Sequence, residues 1–257
     1  MPNKIAEVFA SAQRPKLMTH VVAGYPDLAA TEKIIRTMAK SGADLIEMQI
    51  PFSDPLADGP TIMHACEQAL AGGITPADCI GLAAELSKEI TVPLLIMTYA
   101  NPALSMGLTN FISRCAAAGV SGLIVPDLPF DEFSRDYVAT ARKHGINPIL
   151  LVSPGMRLDR LEALLPLASG FVYATLRVGI TGAREGLEPQ SLEFLTKVRE
   201  RTTLPLAAGF GVSSQEQARR LGRQVDAVIV GSHLIDLFNR QGVAAVGEFI
   251  KSCKQAP

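Results

Sequence analysis

The apolar residues of this chain are grouped into short, nearly continuous runs, and longer amphipathic stretches lie between them. A short apolar run next to Gly or Pro is typical of a strand that is buried on both faces, as in a parallel sheet. Eight runs have this character, at residues 17–23, 45–50, 94–99, 122–125, 148–152, 170–175, 204–208 and 227–230. The pattern therefore predicts eight buried strands.

The stretches between these runs repeat apolar residues at helical spacing, so strand and helix alternate along the chain. The clearest predicted helices are residues 31–41, 76–88, 109–118, 132–144, 158–165, 192–202 and 214–221. Eight such units in 257 residues match the usual size of a closed parallel barrel. We predict a single α/β domain over residues 1–257, a (β/α)8 TIM barrel with an extra N-terminal helix and a short phosphate-binding helix after strand eight.

An open, doubly wound sheet is the alternative arrangement of alternating strands and helices. Dinucleotide-binding sheets of that kind place a G-x-G-x-x-G motif directly after the first strand. Here the first apolar run is followed by Gly24, Tyr25 and Pro26, which do not form that motif. The closed barrel is therefore favoured.

The charge and cysteine content argue against several classes of function. The 24 basic and 25 acidic residues are mixed along the chain, so no basic stripe is present for a nucleic acid to contact. No apolar stretch approaches the roughly 20 residues of a membrane span. The four cysteines, Cys66, Cys79, Cys115 and Cys253, form no C-x-x-C pair, and we expect reduced thiols in a cytoplasmic protein without a metal site.

The densest group of acidic residues follows the second predicted strand, at the rim where barrel enzymes carry their chemistry. Glu47 lies near the strand end, and Asp54 and Asp58 follow on a loop rich in proline. Because side chains alternate along a strand, Leu45, Glu47 and Gln49 share one face, and the apolar residues between them face the helices. Glu47 then points into the barrel mouth, either as a proton-transfer group or as a rim carboxylate paired with a nearby cation.

Glycine-rich turns follow the seventh and eighth predicted strands, which is a recurrent position of phosphate sites in barrels. The first turn contains Gly209 and Gly211, and the second contains Gly231 and Ser232 at the start of a short predicted helix. Backbone N–H groups at such turns and the helix dipole favour an anion. The alternative is that these are ordinary turn glycines and that Ser213 and Ser232 are helix caps.

The segment at 177–188, after the sixth predicted strand, is polar, rich in glycine and long for a connection. Segments of this kind close over bound substrates in many barrel enzymes. We expect it to act as a mobile lid.

The sequence PFSDPLADGPT at 51–61, preceded by Glu47, closely resembles the signature of the tryptophan synthase alpha subunit family. The similarity extends over nearly the whole chain, through GYP at 24–26, TYANP at 98–102, LIVPDLP at 123–129, GITG at 179–182, GFG at 209–211 and GS at 231–232. That resemblance implies a (β/α)8 barrel that cleaves indole-3-glycerol phosphate to indole and glyceraldehyde 3-phosphate. It also implies a beta-subunit partner that holds pyridoxal phosphate in an αββα complex, so no cofactor is expected in this chain.

The resemblance further implies roles for individual residues. Glu47 protonates C3 of the indole and then accepts the proton of the glycerol hydroxyl, while Asp58 stabilises positive charge on the ring nitrogen. Tyr173 hydrogen-bonds Glu47, although its position alone is also typical of a core aromatic, and Thr181 of the lid hydrogen-bonds Asp58 on closure. The phosphate is held by Gly182, Phe210, Gly211, Gly231 and Ser232. The indole pocket is formed by His20, Gln49, Met97, Tyr99, Ile124, Leu151 and Ile229.

Three positions depart from the family pattern where the substrate is expected. Gln49 replaces a usual glycine, His20 a usual aromatic residue and Met63 a usual glutamine. Because Gln49 shares a strand face with Glu47, we expect it to fill indole space or to hydrogen-bond the acid-base group. These departures leave two alternatives open: a diverged stand-alone lyase, and a weakly active subunit that mainly regulates a beta subunit.

Another phosphosugar enzyme, such as an isomerase or an aldolase, is a further alternative, because a phosphate site alone would serve it. A Schiff-base aldolase needs a lysine at a strand end. No lysine lies inside the eight predicted strands, and Lys16 precedes the first. The sequence therefore disfavours an aldolase of this type.

Overall fold

Eight parallel strands form a closed barrel in the computed structural model, which describes residues 3–12, 15–128, 132–176, 189–209 and 211–254. Each strand pairs with the next one along the chain, and the eighth returns to the first. Strands β1 to β8 are Lys16–Val22, Leu45–Gln49, Leu94–Met97, Gly122–Ile124, Asn147–Val152, Val172–Ala174, Leu206–Ala208 and Ala227–Val230. The predicted barrel and its eight strands are confirmed.

Helices follow the strands and cover the outside of the barrel. In the described ranges, α1 to α12 are Lys4–Ala10, Leu28–Lys40, Pro60–Ala71, Pro76–Leu86, Ala100–Ser105, Leu108–Ala117, Glu132–Lys143, Leu158–Leu164, Pro189–Arg199, Gln215–Gly222, Ser232–Gln241 and Val243–Lys254. The extra N-terminal helix is α1 and the helix after the last strand is α11, as predicted. Helices α3, α5 and α12 are additional to those that the sequence pattern predicts. None of the helices in these ranges is long and apolar enough to cross a membrane.

Several element boundaries differ from the predicted ones, and two of the differences have a clear local cause. Helix α2 begins earlier, at Leu28, because the Asp27 side chain caps it by accepting a hydrogen bond from the Ala30 N–H at 2.7 Å. Strand β6 begins later, since Gly170 has a φ of +79° and interrupts extended backbone. Strand β1 begins at Lys16, which lies at the N-terminal end of the barrel and therefore offers no amine to the catalytic rim.

Alternation along β2 separates two layers of core, as predicted. Ile46 and Met48 pack in the outer layer between the barrel and its helices, whereas Leu45 packs inside the barrel. Ile5 and Phe9 of α1 belong to the same interior cluster as Leu45. Burial of each such side chain contributes about 1.5–3 kcal/mol. By the same alternation, Glu47 and Gln49, which share the face of Leu45, also point into the barrel.

Candidate active site

A cavity of about 230 Å³ lies at the C-terminal ends of the strands, at the rim where the sequence predicts the chemistry. The predicted site residues that line it are His20, Glu47, Asp58, Met97, Ile124, Leu151, Tyr173, Gly211, Ile229, Gly231 and Ser232. The structure therefore brings together both predicted catalytic carboxylates, most of the predicted apolar slot and the two glycine turns.

Glu47 is buried in this cavity beside His20, which is its direct partner in the pairing of β1 with β2. The imidazole Nδ1 lies 3.4 Å from Glu47 Oε1, and the two side chains are 5% and 4% exposed. Burial alone would lower the pKa of His20, but the charge of Glu47 and hydrogen bonding to it outweigh burial and raise the pKa above its usual value. Glu47 thus lies beside an imidazole that holds its proton more tightly than an ordinary histidine does.

Asp58 is held by two donors that bind the same oxygen, Oδ2. The amide Nε2 of Gln49 donates to it at 2.7 Å and the Tyr99 hydroxyl donates at 3.0 Å. The Ala57 N–H in turn donates to the Tyr99 hydroxyl oxygen at 3.0 Å, which ties the loop of Asp58 to the end of β3. Burial raises the pKa of Asp58, and the two hydrogen bonds together with the nearby His20 partly offset this increase.

Gln49 and Tyr99, which were predicted to form the indole pocket, do not line the cavity. They instead donate hydrogen bonds to Asp58. Gln49 is fully buried and Tyr99 is 1% exposed. The structure places the Gln49 amide on Asp58 and not on Glu47, with the Cys66 sulfur 3.5 Å from the same nitrogen. The loop after β2 folds back over the strand end, so Asp58 is the carboxylate within reach of this side chain.

Buried polar atoms without a hydrogen-bond partner are concentrated at this site. Among the described residues, the buried side-chain atoms that lack a partner are His20 Nε2, Glu47 Oε2 and Gln49 Oε1. Such an atom costs about 1–3 kcal/mol, so native proteins keep few of them. Three on neighbouring side chains indicate that the site is built for a task other than stability.

Tyr173 projects from β6 into the same cavity. Burial raises the pKa of its hydroxyl well above the usual value, and the charges of Glu47 and Asp58 raise it further. The phenol is therefore a neutral hydrogen-bonding group next to both carboxylates. In this structure the Tyr173 hydroxyl makes no hydrogen bond to Glu47, and the Oε2 atom of Glu47 has no hydrogen-bond partner.

The glycine turns after β7 and β8 also line the cavity. Gly211 has a φ of +74°, and a Cβ at Gly209 would lie 2.2 Å from the carbonyl oxygen of Ile229, so glycine is required at both positions. Gly231 is the N-cap of α11 and makes no side-chain cap, and Ser232 is the first helical residue. Ser232 is thus not a helix cap, and the N–H groups at this helix start remain available to an anion.

Three predicted site residues, Thr181, Gly182 and Phe210, lie outside the described residues, and so does the predicted lid at 177–188. Met63 lies on α3, is 38% exposed and does not line the cavity.

Sequence reasoning did not single out two polar residues that line the cavity, Ser153 and Thr175. Each follows directly after a strand, β5 or β6, and that position is the signal that could have identified them. In the part of the chain that the structure describes, no three His, Cys, Asp or Glu side chains converge to hold a metal ion.

Comparisons with known proteins agree with one another. The sequence matches the family described as tryptophan synthase alpha chain over residues 7–255. It is 41% identical over 238 residues to the tryptophan synthase alpha chain of Desulfotalea psychrophila, covering 93% of both chains. It is 38% identical over 255 residues to that of Dehalococcoides mccartyi, covering 99% of both. A solved structure of Mycobacterium tuberculosis tryptophan synthase matches with a TM-score of 0.91 at 34% identity, covering 99% of this chain and 98% of that one.

Proposed function

Because the chain belongs to the tryptophan synthase alpha chain family, we propose that its cavity carries out the alpha reaction through Glu47 and Asp58. The enzyme is a lyase of tryptophan biosynthesis that cleaves indole-3-glycerol phosphate to indole and glyceraldehyde 3-phosphate. One observation carries the assignment of roles: two buried carboxylates face a single cavity and have different hydrogen-bond partners. None of the comparisons favours a stand-alone or purely regulatory protein.

The reaction requires one group that first gives and then takes a proton. An indole carbanion is a poor leaving group, so C3 is protonated before the C–C bond breaks. In our proposal Glu47 gives this proton, which leaves the ring as a positively charged indolenine. The resulting carboxylate takes the proton of the glycerol hydroxyl, the C–C bond breaks, its electron pair returns to the ring, and the aldehyde leaves. The unpaired Oε2 of Glu47 supports this role.

Asp58 is proposed to stabilise the positive charge that forms on the indole nitrogen. The Gln49 and Tyr99 hydrogen bonds both go to Oδ2, and this leaves Oδ1 for the ring N–H. The same two bonds fix the orientation of the carboxylate before the charge develops. A preorganised group of this kind stabilises a transition state without reorganisation during the reaction.

The two ends of the substrate match two kinds of lining in the cavity. Apolar side chains offer a slot for the indole ring; they are Met97, Ile124, Leu151 and Ile229. Gly211, Gly231 and Ser232 offer backbone N–H groups to the phosphate near the start of α11. The helix dipole there favours an anion by about 0.3–1 kcal/mol, and by up to ~2 kcal/mol when the site is partly buried.

The proposed steps use side chains alone, so this chain needs no cofactor for them. The family works beside a beta subunit, and we propose that this chain joins one in an αββα complex whose pyridoxal phosphate belongs to the beta subunit. We also propose that it acts in the cytoplasm, where thiols stay reduced. Cys66, Cys79 and Cys115, which are free and buried, support that location.

The direct test is incubation of the purified chain with indole-3-glycerol phosphate, with indole and glyceraldehyde 3-phosphate measured together. We expect the two products in equal amounts, and faster release after addition of a tryptophan synthase beta subunit. Release of neither product, in the presence or absence of the beta subunit, would contradict the proposed function.

A further inference from the structure

His20 is the basic side chain that lies beside Glu47 in the cavity. It is 4% exposed, it lines the cavity, and its Nδ1 lies 3.4 Å from Glu47 Oε1. Among the described residues that line the cavity there is no lysine or arginine. Within that part of the site, the positive charge that faces Glu47 and Asp58 therefore depends on the protonation of this one imidazole.

We propose that His20 is a positioning residue that shares a single proton with Glu47 and so keeps that proton inside the site for transfer to C3. The proposal rests on the function assigned above. In one form of the pair the imidazole is protonated and Glu47 is a carboxylate. In the other form the proton has moved from Nδ1 to Oε1, which makes Glu47 the acid that the first step requires. The total charge of the pair is the same in both forms, so the transfer needs no ion from outside.

The surroundings of the pair favour retention of this proton. The titratable groups that face it are Asp58, on the loop before α3, and Tyr173, on β6. Asp58 adds to the attraction that Glu47 exerts on the imidazole, and both raise the pKa of His20. Tyr173 remains neutral because its pKa is raised. Directly before α11 the pair is met by Gly231, which does not titrate.

The sign of the pH dependence follows from this arrangement. A histidine with a raised pKa keeps its proton to a higher pH than an ordinary imidazole, and it loses the proton as the pH rises through the raised value. The pair that has lost its proton cannot protonate C3. Without His20, no imidazole with a raised pKa is present to hold the proton into the high-pH range. Activity should therefore be lost at lower pH when His20 is replaced.

The substitution His20→Asn separates proton sharing from simple hydrogen bonding. The asparagine amide nitrogen stands the same number of bonds from the main chain as Nδ1, so it can still donate to Glu47 Oε1, but it does not titrate. His144→Gln, at a half-buried histidine just after α7 that does not line the cavity, is the matched control.

We expect the fall of kcat/KM at high pH to begin at least about one pH unit lower in His20→Asn than in the unmodified enzyme, which is a further loss of roughly tenfold at the upper end of the pH range. His144→Gln should keep the unmodified profile. An unshifted high-pH fall in His20→Asn, or an equal shift in the control, would overturn the proposal.

A second measurement does not depend on turnover. NMR titration of the His20 ring in the free enzyme should give a pKa above the usual histidine value, and this pKa should fall in Glu47→Gln. If the pKa of His20 is the same with and without the Glu47 carboxylate, the two groups do not share a proton. Because the titration needs no substrate, a negative indole assay would refute the proposed function while leaving this result to decide the role of His20.

Discussion

Replacement of Glu47 by glutamine should lower kcat for indole release by about 10²- to 10⁴-fold. The amide has nearly the shape of the carboxyl group and keeps an oxygen that can accept from the Nδ1 of His20, so the packing of the cavity is retained. It cannot give a proton to C3 or take one from the glycerol hydroxyl. The loss should appear in kcat, with little change in the affinity for glyceraldehyde 3-phosphate, because the phosphate turns lie on other strands.

The matched control for this variant is Glu67→Gln, an exposed glutamate on α3. It should keep the kcat of the unmodified enzyme, and thermal unfolding should show that both variants are folded. Turnover within a few-fold of normal in a folded Glu47→Gln enzyme would exclude Glu47 as the proton-transfer group.

Replacement of Asp58 by asparagine should also lower kcat by about 10²- to 10⁴-fold. In the native site Oδ2 accepts from both Gln49 and Tyr99. If the asparagine oxygen keeps these two bonds, its NH2 group faces the indole N–H, where a donor meets a donor and no negative charge remains. If the amide turns over, its oxygen faces the indole N–H without a negative charge, and its NH2 group replaces the acceptor that Gln49 and Tyr99 share in the native site. Either arrangement removes the stabilisation of the indolenine cation.

Asp54→Asn provides the control on the same loop, because Asp54 is exposed and bonds the Ser53 hydroxyl outside the cavity. We expect it to retain normal kcat. Equal losses in Asp54→Asn and Asp58→Asn would show that loop conformation, and not the charge at Asp58, limits the reaction.

The barrel could be predicted from the sequence because its strands are buried on both faces and read as continuous apolar runs. In β2 the period of two also fixed the side on which each residue lies, and Leu45 is inside the barrel with Glu47, as expected. Helix α3 was harder to predict, since it follows the acidic loop directly from Gly59 and Pro60, residues that also read as a turn. The start of α2 was also hard to predict, because it depends on a single capping residue, Asp27.

Cavity residues such as Glu47 and Asp58 could be predicted from the sequence because polar side chains near strand ends are typical of barrel active sites. The hydrogen-bond partners within the site could not be predicted. Alternation showed the face of Gln49, but only the path of the following loop determines that its amide reaches Asp58 and not Glu47. Tyr99, between β3 and α5, likewise could not be paired in advance, because the hydroxyl that reaches Asp58 lies at the far end of its ring.

The most direct test of the central claim is a crystal structure of the Asp58→Asn enzyme with indole-3-glycerol phosphate bound. Slow turnover in this variant should preserve the substrate while Glu47 remains intact. We predict that indole C3 lies about 3–3.5 Å from the Glu47 carboxyl group, a distance suited to reaction. The phosphate should lie on the N–H groups of Gly211, Gly231 and Ser232. A substrate whose C3 faces away from Glu47, or whose phosphate lies elsewhere, would contradict the account.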